Sequence, residues 1–298
     1  MQVDLIRAGT TYSLSDGTYC WFYGVDGAGM SPLHRLRERG PLQHGETDVG
    51  FRLDPRLITL LLAMPAQTYS AYWTARANLL SILLSTSESD DITLRFTLDN
   101  GSVRSLDCHY VAGGGLATSE EAKSRLQKIP LVFNAGDPTF YDPTINTEIW
   151  TLAISSDLIV GHPVTLLTKF TIPFILGSGT ISASTSVIYT GTWFSYPVIT
   201  LTGPMNWPIV ENQTTDEFLR YQAGIAAGQT VTIDTSFAAK TVKDNTGANL
   251  ISNLSDDSDL ATFHIRNNAT NVINVSATGL VAGQSNISMQ YYTRYVGI

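Results

Sequence analysis

From Glu148 onward the chain repeats one pattern: a short, apolar, Thr-rich run, a Gly, Asn or Asp, then another run about ten residues on. WTLAISS, VTLLTKFTIPFIL, TSVIYTGTWFSYPVITLTG, TDEFLRYQAGI, QTVTIDTS, AKTVKDNTG, ATFHIRN, TNVINVSATG and SNISMQYYTRYVGI keep this beat. Runs so short suit strands, whose side chains alternate between two faces, and turn residues at that interval send the chain back antiparallel to itself. The pattern predicts an antiparallel β-sandwich, poor in Arg and free of helix, over residues 146–298.

Residues 1–145 read as a mixed α+β unit. VDLIRAGTTYSL and TYCWFYGV are strand-like, and a Gly-rich passage, GVDGAGMSPLHRLRERGPLQHGE, follows. DVGFRLDPRLITLLLAM then gives two strands broken at Asp54-Pro55. In QTYSAYWTARANLLSILLST the period changes: Tyr69, Tyr72, Trp73, Leu79, Leu80 and Leu83 fall at i, i+3, i+4 spacing. That spacing predicts an amphipathic helix over 68–86, capped by Thr68 or Ser70, with its apolar stripe packed on a sheet. Asp99-Asn100-Gly101 joins two strand-like runs and marks a tight hairpin, because Asn-Gly accepts positive φ. SEEAKSRLQKI fits a short helix or a polar loop, and IPLVFNAG is the next strand.

The 298 residues suffice for a buried core without disulfides. Charged residues are only 15% of them, against roughly 25% in a typical soluble domain, so hydroxyls, amides or other copies of the chain must cover the surface. The formal net charge of -8 excludes a general attraction to a phosphate backbone or an anionic membrane. Arginine nevertheless gathers in the first half, at Arg35, Arg37, Arg39, Arg52 and Arg56. Such a cluster is either a solvated loop or an interface, and Glu46, Asp48 and Asp54 lie close by in sequence to serve as partners.

Cys20 and Cys108 sit in apolar, strand-like contexts and read as buried thiols, with a bridge between them as the lesser alternative. No basic stretch leads into an apolar one near Met1, and ITLLLAM is far too short to span a bilayer, so a soluble protein made in a cytoplasm is expected. The five Asn-x-Ser/Thr sequons are then by-products of Asn- and Thr-rich strands. His34, His44, His109, His162 and His264 have no metal-ligand spacing, and Gly27-Ala28-Gly29 and Gly177-Ser178-Gly179 read as turns. No cofactor, metal or catalytic residue is expected.

VFNAGDPTFYDP sets two carboxylates and two rings within twelve residues. Asp137 and Asp142 invite comparison with a glycosidase pair, which needs two carboxyl groups about 5 to 9.5 Å apart. Each precedes a proline, however, and X-Pro steers the chain into an extended or turning path, so a corner is the plainer reading.

The order PLQHGE, FRLDPRLITLL, a Tyr-rich helix with Arg76, Leu79 and Leu80, a DNG hairpin and LVFNAGDPTFYDP resembles the N-terminal domain of siphophage distal tail proteins. GTWFSYPVITLTGP, TVTIDTSFAAKTV, NLISNLSDDSDLATFHI and ISMQYYTRYVGI resemble the C-terminal domain of that family. The resemblance implies a split-barrel-like, ring-forming N-terminal α+β domain at 1–145 and a galectin-like antiparallel β-sandwich at 146–298. It implies a structural virion protein at the tail tip: a homohexameric ring that continues the tail-tube channel and carries host-adhesion parts. Its partners would be the tail tube protein, the tail-associated hub protein, the tape measure protein and receptor-binding proteins, with DNA only as passing cargo and no membrane insertion. Arg35, Arg37, Arg39, Arg52, Arg56, Glu46 and Asp48 become candidate ring contacts. Asp137, Pro138, Phe140, Tyr141, Asp142 and Pro143 become the exit from the ring domain, with Phe140 and Tyr141 as packing anchors. The alternative is a carbohydrate-binding adhesion module, since galectins bind sugar with His, Asn, Arg, Trp and Glu on one sheet face. Trp207, His264 and Arg266 are the candidates here, in a spacing and order that differ from that set.

Overall fold

A computed structural model describes residues 1–65, 69–83, 92–114, 126–151, 181–281 and 283–298. The segment left open between helix and loop lies mostly outside this range, as do VTLLTKFTIPFIL, His162, Gly177-Ser178-Gly179 and the Thr68 cap. The fold is mainly β and antiparallel, in two compact units: Met1–Thr144 with Arg294–Ile298, and Ile145–Thr293. The closing five residues, placed with the sandwich on sequence grounds, therefore pack in the first unit.

The first unit contains β1 (Gln2–Arg7), β2 (Thr10–Ser13), β3 (Trp21–Asp26), β4 (Leu33–Glu38), β5 (Thr47–Leu53) and β6 (Arg56–Pro65). Helix α1 (Tyr69–Leu83), β7 (Ile92–Thr97), β8 (Val103–Gly113), β9 (Leu126–Ala135) and the start of β10 (Phe140–Thr151) follow. Seven strands pair in the order β2-β1-β7-β8-β9-β6-β3. Strand β8 pairs with β7 through Val103–Cys108 and with β9 from His109 on, and its register shifts between Tyr110 and Ala112. One strand thus serves two half-sheets around a single core.

Alternation explains which side chains enter that core: Ile92, Leu94 and Phe96 from β7, Ile58, Leu60, Leu62 and Met64 from β6, and Ile129, Leu131 and Phe133 from β9 are all buried. At the expected hairpin Thr97 faces Val103, and Gly101 takes φ +83°. The helix corrects the sequence reading in part: Leu79, Ile82 and Leu83 are buried, but Trp73 and Leu80 are exposed, and Arg76 lies over the Trp73 ring at 5.0 Å. Cys20 and Cys108 are buried free thiols, and burial pushes the Cys20 thiol up to about 12.

The second unit holds the rest of β10 with β11 (Ile181–Tyr189), β12 (Val198–Thr202), β13 (Met205–Asn212), β14 (Glu217–Arg220) and β15 (Gly224–Ile225). Then come β16 (Thr230–Asp234), β17 (Thr241–Asp244), β18 (Ala269–Thr278) and β19 (Asn286–Tyr295). One sheet runs β17-β16-β12-β19-β10 and the other β11-β18-β13-β14, with β15 also on β13. Ile199, Leu201, Val231, Ile233, Ile287 and Met289 from the first meet Val187, Val210, Leu219, Ile273 and Val275 from the second, which makes a sandwich. ATFHIRN, expected as a strand, makes only an isolated bridge between Ile265 and Ser195.

Candidate assembly surface

The Gly-rich passage and the start of DVGFRL form a hairpin that belongs to no larger sheet: β4 and β5 pair only with each other among the described residues. All six residues of β4 are exposed, as are most of β5. Leu33, Leu36, Leu42, Val49 and Phe51 stand in solvent, Leu42 almost entirely. A two-stranded hairpin is marginally stable alone in water, and this one exposes apolar groups on both faces, since Phe51 lies opposite Arg35 and Leu36 opposite Gly50.

The arginines of this hairpin are already engaged within it. Arg35 lies 3.5 Å from Asp48, Arg37 is 3.1 Å from Glu46 and 3.3 Å from Asp48, and Arg52 is 3.7 Å from Asp54. Arg39 donates to the Gln43 carbonyl at 3.3 Å. The hydrogen bond that Arg37 donates to Glu46, and then the charge of Asp48, raise the pKa of Arg37. Exposed pairs of this kind contribute little to stability, and their opposite charges are satisfied inside one chain. A shallow depression of about 400 Å3 lined by Arg37, Arg39, Glu46 and Asp48 lies on this surface.

Arg56 departs from the others and leaves the candidate interface set, because it is 1% exposed. It takes the inward phase of β6, two residues before Ile58, and its guanidinium meets main-chain carbonyls rather than a carboxylate. Its Nε donates to Pro138 O at 2.7 Å, Nη1 to Gly27 O at 2.7 Å and Gly29 O at 2.5 Å, and Nη2 to Val296 O at 2.5 Å. The Phe140 ring covers it at 4.7 Å. Burial pulls its pKa down to about 10, which leaves it charged at neutral pH, and the carbonyl dipoles compensate that charge. Gly27, at φ +80°, could hold no Cβ, which would sit 2.1 Å from Leu57 O.

The Asp-Pro stretch is a corner tied down by its own acids. Asp137 accepts from Thr139 N at 3.1 Å and Thr139 Oγ1 at 2.7 Å, and it pairs with Arg294, whose Nη1 also donates to Thr139 at 2.6 Å. Asp142 accepts from Thr144 N at 2.9 Å. Phe140 is fully buried with its ring 5.8 Å from that of Phe96, and the Tyr141 hydroxyl donates to Asp107 at 2.9 Å. Pro138 supplies a carbonyl to Arg56, and Pro143 continues β10.

The sugar candidates attach to different neighbours. Trp207 is 57% exposed at φ +53°, in a bulge between Asn206 and Ile209. His264 has its Nδ1 3.0 Å from Glu217 and 2.9 Å from Thr262 O, both acceptors, and its ring is 5.2 Å from Phe194. Arg266 is exposed, and its main-chain N and O are held by buried Asn271 at 2.8 and 3.1 Å. Asn271 is joined in turn to buried Asn212 at 3.2 Å. Sequence reasoning missed this Asn pair, the apolar residues of the hairpin and the inward role of Arg56. Only the last had a signal, its even spacing with Ile58, Leu60, Leu62 and Met64.

Residues 190–295 match the family described as siphovirus-type tail component, C-terminal domain. The whole chain is similar in fold to the SPP1 Dit protein, whose crystal structure is described as a paradigm of the hub adsorption apparatus in Gram-positive-infecting phages. The identity is 14%, the TM-score 0.62, and the alignment covers 97% of this chain and 98% of that one. A chain of the phage P2 baseplate in its activated conformation aligns over 97% of each chain at 10% identity, with a TM-score of 0.49. No curated protein matches the sequence.

Proposed function

We propose a tail-hub role for this chain, which is a siphovirus-type tail component carrying that family's C-terminal domain at residues 190–295. Copies close into a six-membered ring at the distal end of a non-contractile tail, continuing the tube, and the sandwich unit offers a platform for host-adhesion proteins. The tail tube, tail-associated hub and tape measure proteins are its neighbours, and the assembly takes place in the host cytoplasm.

The observation that carries this reading is the β4–β5 hairpin, exposed on both strands and bearing Leu33, Leu36, Val49 and Phe51. A ring needs two different faces per subunit, joined by a rotation that closes. Edge strand β3 supplies a candidate second face, since among the described residues it pairs only with β6, and it exposes Trp21 and Tyr23 at about half of their surface. Here the apolar groups do the docking, and the intrachain pairs of Arg35, Arg37 and Arg52 hold the hairpin's own register. The net charge of -8 suits a conduit, because phosphate contacts would slow passing DNA.

Light scattering with negative-stain imaging tests the proposal. Wild type is expected as a closed ring, alone or with the tail tube protein, and a Leu36→Asp, Phe51→Asp double variant as a monomer with an unchanged melting profile. A wild-type monomer under both conditions overturns the ring.

A further inference from the structure

We infer that residues 294–298 set the pose of the β4–β5 hairpin, so that the assembly surface is aimed by the segment of chain furthest from it in sequence. The hairpin enters through Gly27–Pro32 and leaves through Asp54–Arg56. Its own closure at the base is a bond from Asp54 N to Pro32 O at 2.9 Å. Within the entry, Gly27 N donates to the Asp26 carboxylate at 2.9 Å and Ser31 Oγ to Pro138 O at 3.5 Å, and Arg56 and the returning segment add the contacts that follow. Arg56 holds the carbonyls of Gly27 and Gly29. The carbonyl between them, Ala28 O, accepts from Ile298 N at 3.1 Å. Gly297 lies against Ala28 and Gly29: a Cβ on it would sit 3.0 Å from the carbonyl of Gly29 and 3.1 Å from Ala28 O.

The segment is itself anchored at each step. Arg294 pairs with Asp137 and donates to Thr139, the Arg104 guanidinium lies 3.5 Å from the centre of the Tyr295 ring, and Val296 O takes the remaining arm of Arg56. Arg56 is therefore shared: the same planar group grips the hairpin entry with Nη1 and the returning segment with Nη2. Removing the segment strips one acceptor from a buried cation and one donor from the entry loop. Leverage then makes a small change large. Six residues of β4 extend about 20 Å at roughly 3.3 Å each, so a turn of about 10° at the base carries the tip some ~3 Å, enough to misplace an interface.

The consequence for ring closure rests on the hub reading, but the control of the hairpin does not. Hydrogen exchange read by mass spectrometry on the dissociated full-length chain tests the latter. It compares wild type, a variant lacking residues 294–298, and Gly297→Val, which disturbs the Ala28–Gly29 contact while leaving every anchor side chain in place. The amides of Leu33–Glu38 and Thr47–Leu53 are expected to exchange about ten- to a hundredfold faster in the truncated variant, the size of one lost charge-assisted hydrogen bond, and about three- to tenfold faster in Gly297→Val, the size of one lost neutral one. Amides of β6 and β9 are expected to keep their protection. Unchanged hairpin rates in Gly297→Val overturn the inference, and so does an acceleration shared equally by β6 and β9, which would make the segment a general stabiliser. Ring mass is measured on the same samples. A wild type that forms no ring counts against the hub reading, and the exchange contrast still decides the inference.

Discussion

Replacing Arg56 by Met keeps most of the side chain's length and removes its charge and all five of its donors. Four carbonyls, of Gly27, Gly29, Pro138 and Val296, then lose the guanidinium as a partner; Gly27 and Gly29 are exposed and can turn to water, and Pro138 O keeps the Ser31 hydroxyl at 3.5 Å. Each orphaned acceptor costs about 1–3 kcal/mol, while relief of the guanidinium's desolvation returns several kcal/mol. The net loss is about 1.5–3 kcal/mol, the worth of a hydrogen-bonded charged group whose removal leaves only neutral carbonyls behind. At roughly 2–4 °C per kcal/mol for a unit of this size, the melting transition of the first unit falls by about 3–12 °C. Arg56→Lys lies between, because three donors on a flexible stem cannot reproduce a planar fork that serves three chain segments. Calorimetry makes the measurement, with Arg37→Met as the control, since Arg37 is exposed and paired only across the hairpin surface. An unmoved or raised midpoint in Arg56→Met would refute the reasoning, as would an equal loss in Arg37→Met.

Two further outcomes are expected in the second unit. His264 titrates above its ordinary 6.5: burial opposes the charged ring, and its bonds to Glu217 and the Thr262 carbonyl outweigh that. Glu217 titrates below its ordinary 4.5, where again burial opposes and the His264 hydrogen bond and charge prevail. The histidine's contribution is complete below 6.5 and is lost as pH rises through its raised pKa; that of the glutamate is complete above 4.5 and is lost as pH falls through its lowered one. The stability gap between wild type and Glu217→Gln is therefore widest between 4.5 and 6.5 and narrows at alkaline pH, and a gap constant with pH would disprove the pairing. At Trp207, whose backbone is left-handed at φ +53°, Gly should be more stable than Ala by about 1 kcal/mol in urea unfolding, and equal values would remove the strain. A glycan array showing no signal for the wild-type chain ends the sugar reading of that exposed indole.

The strands with one buried face were legible because their apolar residues keep a period of two. IPLVFNAG and TNVINVSATG announce themselves this way, and the turn at Asn100-Gly101 follows from backbone sterics alone. LHRLRE showed no such period and was passed over, because neither of its faces is buried in the unit that carries it. A hairpin exposed on both faces leaves no alternation to read. Arg56 was grouped with the exposed arginines because composition registers charge and not phase, although its place in the β6 alternation set it apart. In the helix, spacing admitted both Trp73 and Leu80 to the stripe, and only packing could show that Leu79, Ile82 and Leu83 are the residues turned to the core.

The first unit is assembled from two separated stretches, with residues 145–293 running between them. At the level of the gene, the sandwich is an insertion rather than an appendix. A recombination event that trades it for another domain needs two crossovers, near codons 144 and 293, to leave the first unit whole. A single crossover would bring in foreign residues where Arg294, Tyr295, Val296 and Gly297 meet Asp137, Arg104, Arg56 and Gly29. Hybrids of that kind should fail in the unit they were meant to leave untouched, which makes these few closing residues a compatibility check between the two parts of the protein.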